Sequence, residues 1–523
     1  MEPGLMKYVV DPMVQARRFA ILGTASGTYT TKQRELTLEN AMIANDLITA
    51  GRGAEVLTMI HRVSIEGLAA KQSPTLFLLA MLTRCTDDKV RTEALATMPE
   101  ICRTFAMLSE FLGYHQQGVT ASTKTSGWGK GLRKAVHAWF IKLGPEKATY
   151  QCLKYRNRNG WTPRDVLRKA HSKPDDPAMN ALYTFLTKDT LDGNPESVKV
   201  DTFVKAYLAV QEPEITNHLA ISLIKEHHLA HEHLGQHLLS SCMVWTALIE
   251  NGMPITALIR NLGRLTANGT LAPFKTQSDM VAARIRDPKV LERGRVHPFN
   301  VLLAKSTYEK GRGDKGKLEW EPVPGIVAAL EDAFYLSFKN VKPTGKRIVV
   351  GLDVSGSMEQ EVMGSSIMAS QAAAAMAMVF VRTEPCSVVK AFAGDGCFGR
   401  DDRFVDVKIN AKSSLSEVED IARSITMGRT NCAAPMQWAE KTNAKVDVFV
   451  IITDSETNTF ESPAAALWRY RESSGISDAK LVVVGMTSTG FSIADPDDPG
   501  MLDVVGFDSE APRIVEMFIR GEL

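Results

Sequence analysis

The chain has 523 residues, 44% of them apolar and 23% charged, enough for two or three domains with sizeable cores. Seven cysteines without a C-x-x-C pair argue against a disulfide framework or a cysteine-based zinc module and suit a reducing cytosol. The net charge of +1 is unevenly spread: from Lys346 onward 17 Lys/Arg face 26 Asp/Glu, so the first 345 residues carry +10, which points to a nucleic-acid partner for that part.

Residues 1–13 hold Glu2, Lys7 and Asp11 and no apolar run of the kind a secretory leader needs, so a cytoplasmic protein is expected, nuclear as well if the source is eukaryotic. Residues 1–30 read as irregular. From Lys32 to about Asn340 the apolar spacing is helical. Leu36, Ile43, Leu47 and Ile48 make one stripe that stops at Gly51 and Gly53, and Val56, Leu57, Ile60 and Val63 make the next. Further helices are expected at roughly 74–85, 88–97, 98–113, 128–142, 145–158, 163–171, 177–187, 198–210, 215–226, 229–238, 240–250, 254–264 and 276–285. Paired helices with short Gly or Pro breaks resemble an α-solenoid, although no clean repeat is visible. After a break at 320–324 one more helix runs to about 338, and 342–346 links to a second region. There strands near 347–353, 387–393, 403–409, 446–453, 480–486 and 502–507 alternate with helices at 363–382, 415–425, 433–443, 463–474 and 509–519, a doubly wound α/β sheet. Residues 362–381 carry no charge, but their serines and Gln371 make them a buried helix rather than a membrane span.

In the α/β region, Gly351-Leu-Asp-Val-Ser-Gly-Ser-Met358 follows a buried strand. It sets Asp353, Ser355 and Ser357 at a strand's carboxyl end, where open α/β sheets bind ligands. A second buried run, 446–452, leads into Thr453-Asp454-Ser455, and the loop Met427-Gly-Arg-Thr-Asn431 offers Thr430. Hard oxygens suit Mg²⁺, Mn²⁺ or Ca²⁺ rather than zinc. A serine-rich turn that only caps a helix is the competing reading. The pattern resembles the metal-ion-dependent adhesion site of von Willebrand factor A domains. That resemblance implies one divalent cation, Mg²⁺ foremost, at Asp353, Ser355, Ser357, Thr430 and Asp454. Arg429 and Asn431 depart from the usual Gly-Gly-Thr-Asp loop.

The helical region has its own concentration of charge. Residues 124–173 hold thirteen Lys/Arg against Glu146 and Asp165. Lys130, Arg133, Lys134 and His137 share a helix face opposite Leu132, Val136, Trp139 and Phe140. Lys154 and Arg158, with Arg156 between them, are expected on the next helix, which ends at Asn159-Gly160. Thr162, Pro163 and Asp165 then read as a capping box, and Arg164, Arg168 and His171 share the following face. A single such face is ordinarily just solvated. Three in succession favour phosphate backbones as the partner.

Longer motifs sharpen this. Trp128-Gly-Lys-Gly-Leu-Arg-Lys134, Lys154-Tyr-Arg-Asn-Arg-Asn-Gly-Trp161, Arg260-Asn-Leu-Gly-Arg264, Arg295-Val-His-Pro-Phe299, Pro343-Thr-Gly-Lys-Arg347 and Ile493-Ala-Asp-Pro-Asp-Asp498 resemble the Ro (SS-A) ribonucleoprotein family over nearly the whole chain. The resemblance implies a TROVE domain over 1–345, an all-α HEAT-like solenoid closed into a ring, and a von Willebrand A-type domain over 346–523. It implies a monomer that binds small noncoding Y RNA on an outer basic surface, with contacts at Lys154, Arg158 and His171. It also implies binding of single-stranded 3′ ends of misfolded structured RNAs in the ring. In bacterial relatives the partner is a 3′–5′ exoribonuclease, polynucleotide phosphorylase, tethered through the Y RNA.

Other motifs carry less. His227, His228, His231, His233 and His237 lack the H-E-x-x-H spacing, since Gly235 stands where the second histidine should be, and read as a solvated helix face rather than a zinc site. Arg312-Gly313-Asp314 reads as a chance tripeptide in a linker. Ser355 lacks a G-x-S-x-G frame, and no nucleophile–base pair is visible, so no catalysis is expected. An RNA-binding scaffold for RNA quality control is the leading reading. An adhesion-like module and a metal-dependent nuclease are the alternatives.

Overall fold

The computed structural model describes residues 10–30, 36–69, 71–117, 127–191, 193–313, 317–362, 367–394, 402–426, 430–454, 461–486, 493–495 and 498–523. Lys124, Asp314, Arg429 and Ser455 lie outside them, as do 363–366 of the expected helix 363–382. Two compact units are present. One holds Asp11–Ala25 and Glu35–Met253; the other holds Met1–Val10, Ser26–Arg34 and Pro254–Leu523.

The first unit is helical. Helix Ser73–Leu82 packs on Phe105–Gln117, and Asp88–Ile101 packs on Lys130–Lys154. From Pro74 to Leu82 every residue of the first of these is buried, which is why its apolar run shows no amphipathic period. Trp139 anchors the centre, edge-on to Phe140 at 5.0 Å and to Phe105 at 6.2 Å. The stretch expected as helices 128–142 and 145–158 is one element, Lys130–Lys154, broken where Gly144 (φ 73°) precedes Pro145. It stops at Lys154, four residues short of Arg158. No α-helix forms over 229–238. His228 takes a left-handed conformation that ends helix Asn217–His227, and only single turns at His231–His233 and Leu238–Ser240 follow. Gly235 donates its N–H to the Val210 carbonyl at 3.1 Å and lies so close to His237 that a Cβ would sit 2.5 Å from the ring.

The second unit combines the remaining helices with a seven-stranded sheet. Its strands are β1 (Thr28–Thr30), β2 (Arg347–Leu352), β3 (Cys386–Gly394), β4 (Asp402–Asp406), β5 (Val448–Thr453), β6 (Lys480–Gly485) and β7 (Met501–Val505). Their order is β1-β7-β6-β5-β2-β3-β4, all pairs parallel except β3 with the edge strand β4. All six residues of β5 are buried, as the unbroken apolar run of a central parallel strand requires. Helix Ala369–Thr383 packs beside β2 and β3 and is buried over most of its length. Among the described residues no helix is long and apolar enough to cross a membrane.

Strand β1 corrects the expectation that residues 1–30 are irregular. Tyr29 pairs with Val504 in the parallel ladder, and its hydroxyl donates to Asp508 at 2.8 Å. Helix Pro12–Leu22 precedes it. Helices Pro288–Arg293 and Pro298–Glu309, which the apolar spacing does not mark, open on prolines behind the capping side chains of Asp287 and His297. Helices between 254 and 345 pack within this second unit: Phe299 meets Phe507 at 4.9 Å, and the Tyr335 hydroxyl accepts from the Leu415 N–H at 3.0 Å.

Candidate functional site

Strands β2 and β5 are neighbours, yet the chain leaves β2 toward β3 on the other side. Their carboxyl ends therefore form the switch-point crevice of the sheet. Asp353 emerges from β2 and gives its N–H to the Ile452 carbonyl at 2.9 Å. Gly351, two residues earlier, admits Phe392 and Pro435, which a Cβ would crowd at 3.0 and 3.1 Å.

The Asp353 carboxylate is the centre of the cluster and only 3% exposed. It accepts the Ser355 N–H at 2.9 Å, the Thr453 hydroxyl at 2.8 Å and the Thr430 hydroxyl at 3.3 Å. The Ser355 and Ser357 hydroxyls lie 2.8 Å apart, and Asp454, also buried, follows Thr453 off β5. The structure thus gathers Asp353, Ser355, Thr430 and Asp454 around one point, with Ser357 linked through Ser355. Thr453 joins them; its signal was its place at the strand end, one residue before Asp454. Burial pushes the Asp353 carboxyl above its ordinary value, and the charge of Asp454 adds to this, against the hydrogen bonds from Ser355 and Thr453. Two buried carboxylates ringed by hydroxyls fit a hard divalent cation, whose charge would offset that burial. Among the described residues no group of three or more His, Cys, Asp or Glu stands together as a metal site.

The basic residues of the helical unit divide into two sets. Lys130, Arg133, Lys134, Arg156, Arg158 and Arg168 are exposed, and no ion pair among the described residues neutralises them. Lys154 and Arg164 are engaged instead. Lys154 is half-buried, 3.3 Å from Glu232 and over the rings of Tyr150 and Tyr155. Burial would lower its ammonium, but Tyr150 and Glu232 together hold it above the ordinary value. Arg164 bridges to Asp189, the left-handed cap of the next helix, and donates to the Leu186 carbonyl.

Two register expectations are corrected. Arg158 is not one helical turn from Lys154; it lies in a tight hairpin, exchanging backbone hydrogen bonds of 3.0 and 2.9 Å with Trp161 across Asn159 (φ 52°) and Gly160 (φ 75°). His171 is not on a helix face either. It is the left-handed cap of helix Pro163–Ala170, exposed at φ 49°. The capping box of Thr162 and Asp165 is present with Pro163 in the first turn.

The basic elements still converge, through aromatic rings that charge counting passes over. Trp161 packs on Trp128 at 5.6 Å, just ahead of Lys130, and carries the Lys169 ammonium at 5.3 Å. Arg158 lies over Tyr155 and Arg156 over Tyr207. Trp128, Trp161 and Tyr207 are themselves buried, so these rings brace the cations from beneath rather than offer stacking faces. The histidines do not form the expected solvated helix face. His233 is fully buried, takes the Ala230 N–H on Nδ1 at 2.9 Å, sets Nε2 3.1 Å from the Tyr150 carbonyl, and is held near pKa 4 by burial.

Comparison with known proteins agrees with this architecture. The TROVE domain family model matches residues 2–216, 225–307 and 305–346, and the Ro60 vWA domain model matches 347–519. RNA-binding protein RO60 of Caenorhabditis elegans is 34% identical over 588 residues, covering 99% of this chain and 90% of that protein. RNA-binding protein RO60 of Deinococcus radiodurans is 35% identical over 530 residues, covering 99% and 95%. The crystal structure of the Deinococcus radiodurans RO (RSR) protein superposes with a TM-score of 0.88 at 34% identity, covering 98% of this chain and all of that one. The fold defines a helical TROVE region followed by a von Willebrand A-type α/β domain. Within that class, the chain belongs to the Ro60 family.

Proposed function

We propose that the protein is an RNA-binding scaffold of a small ribonucleoprotein. The observation that carries this reading is the set of six exposed cations at Lys130, Arg133, Lys134, Arg156, Arg158 and Arg168, in no ion pair among the described residues, with Arg158 over Tyr155 and Arg156 over Tyr207. Its relatives in Caenorhabditis elegans and Deinococcus radiodurans, both named RNA-binding protein RO60, support it. The partner on this surface is a structured small RNA of the Y type. His171 contributes a hydrogen bond or a stacking face rather than a counter-charge. Single-stranded 3′ ends of misfolded RNAs bind elsewhere, and an exoribonuclease receives them in RNA quality control. The A-type domain holds one divalent cation, Mg²⁺ foremost with Mn²⁺ or Ca²⁺ as substitutes, through Asp353, Ser355, Ser357, Thr430 and Asp454. A cation held there would offer a contact for a partner's carboxylate. The Ser355 N–H and the hydroxyls of Thr430 and Thr453 hold the Asp353 carboxylate in place.

Salt titration of a structured small RNA tests the reading. Each lost phosphate contact lowers the slope of log affinity against log salt by roughly 0.7 to 0.9, so Arg133→Ala, Arg158→Ala and Arg168→Ala together should lower it by about 2 to 3. Wild-type affinity and slope in the triple variant would leave the surface merely solvated. Labelled RNA incubated with the protein and Mg²⁺ should stay full length. Cleavage that Asp454→Ala abolishes would replace the scaffold with a nuclease.

A further inference from the structure

A second concentration of unpaired positive charge lies in the other compact unit, at a cavity of about 520 Å³ between helix Ile255–Ala267, helix Pro298–Glu309 and the returning chain at 318–320. Its size falls within the roughly 300 to 1,000 Å³ of small-molecule sites. Arg260 and Arg264 stand on its rim. They are exposed, one helical turn apart, and free of any ion pair among the described residues. Like charges at that spacing oppose each other unless an anion lies between them. Among the described residues the lining holds these two guanidiniums and no carboxylate.

The interior is mostly apolar, with an aromatic wall. Trp320 forms one wall and lies against Gly263, where a Cβ would come within 2.6 Å of the ring, so the glycine is what admits the indole between the two arginines' turns. The ring is fixed: its N–H donates to the Tyr308 carbonyl at 2.8 Å, its backbone N–H donates to Gly311 at 2.8 Å, and it stacks on Tyr308 at 6.1 Å and 22°. Tyr308 is fixed in turn by Thr266 at 2.7 Å and the Val323 N–H at 3.2 Å. Ile259 and Leu303 supply aliphatic walls, and Asn300 a polar edge. A rigid aromatic pocket with paired guanidiniums at its mouth matches a planar base carrying a phosphate.

We infer that this cavity binds a nucleotide, with the base against Trp320 and the phosphate at Arg260 and Arg264. The inference deepens the RNA-binding reading and rests on it. The nucleotide comes from a single-stranded RNA or from the free pool, and the two sources are separable.

The test uses the full chain with a labelled seven-nucleotide single-stranded RNA, with AMP, and with a structured small RNA, all by fluorescence anisotropy or competition. Arg260→Gln with Arg264→Gln, on an exposed face, leaves the fold intact. Its expected effect is at least a tenfold loss of affinity for the single strand, a salt slope lower by about 0.7 to 1.4, and unchanged binding of the structured RNA. Trp320→Leu should weaken the same ligand without altering the slope, because it removes a stacking wall and no charge. AMP that competes at this site, with the loss confined to AMP in the variants, assigns the free nucleotide; loss confined to the seven-mer assigns the RNA strand. If both ligands bind the arginine variant as they bind wild type, the inference is overturned while the basic surface of the helical unit stands. If wild type binds none of the three, the RNA-binding reading itself falls.

Discussion

Asp353 is a carboxylate whose pKa burial raises above its ordinary value, held beside a second carboxylate by three hydrogen bonds. Asp353→Ala should abolish calorimetric binding of Mg²⁺ and Mn²⁺ to the full chain while far-UV circular dichroism stays native, because the loop follows the strand rather than forming its core. Unchanged affinity would remove Asp353 from the cation shell. His233 makes a separate prediction. Burial depresses its imidazole to about 4, below the ordinary 6.5, so the neutral ring's contribution is complete above about pH 6.5 and is lost as pH falls toward 4. The loss reaches at most about 1.4 kcal/mol per pH unit. His115, also held near 4 by burial and by Arg84, acts in the same window. Melting temperature should fall between pH 6.5 and 4.5, and His233→Phe should flatten that fall even though it lowers stability at neutral pH. Parallel curves for variant and wild type would assign the acid sensitivity to other groups.

At the scale of elements, the short helix Pro163–Ala170 separates structural from available charge. Its capping box was legible because Thr162, Pro163 and Asp165 interact within one turn. Thr162→Ala should cost about 1 kcal/mol in denaturant unfolding, and an unchanged midpoint would show the box to be dispensable. Arg164 points to Asp189, so Arg164→Ala should leave the salt slope of RNA binding at its wild-type value and cost under about 1 kcal/mol. A slope lowered as far as in Arg168→Ala would return Arg164 to the RNA surface. Helical periodicity mispositioned Arg158 and His171 for one reason. Both sit where the chain turns left-handed, at and beside Asn159-Gly160 and at His171 itself, and a residue beyond the last helical turn no longer follows the 3.6-residue repeat.

In the α/β unit, a three-residue strand from the beginning of the chain completes a sheet built from its last third. β1 is too short to carry a pattern, and its partner β7 lies more than 400 residues away, so its assignment depends on backbone hydrogen bonds that only folding brings together. Tyr29→Phe removes the bond to Asp508 and should cost about 1 to 3 kcal/mol, since the carboxylate loses its donor. Hydrogen exchange should then quicken in β1 and β7 before β5. Exchange that quickens uniformly would mean that the edge does not open by itself.

The alternation of buried strands with helices, the oxygen-rich loops at strand ends, and the concentration of basic residues over 124–173 were all determined by local sequence. Each follows from periodicity, side-chain chemistry or charge within a few turns of chain. The meeting of Asp353 with Thr430 and Thr453, the burial of His233 against Tyr150, the pairing of Lys154 with Glu232 and the seating of Trp320 on Gly263 were decided by tertiary structure. In each, the partners are separated by 57 to 100 residues, and whether a polar group is a ligand, a core residue or a neutralised charge depends on what the fold packs against it.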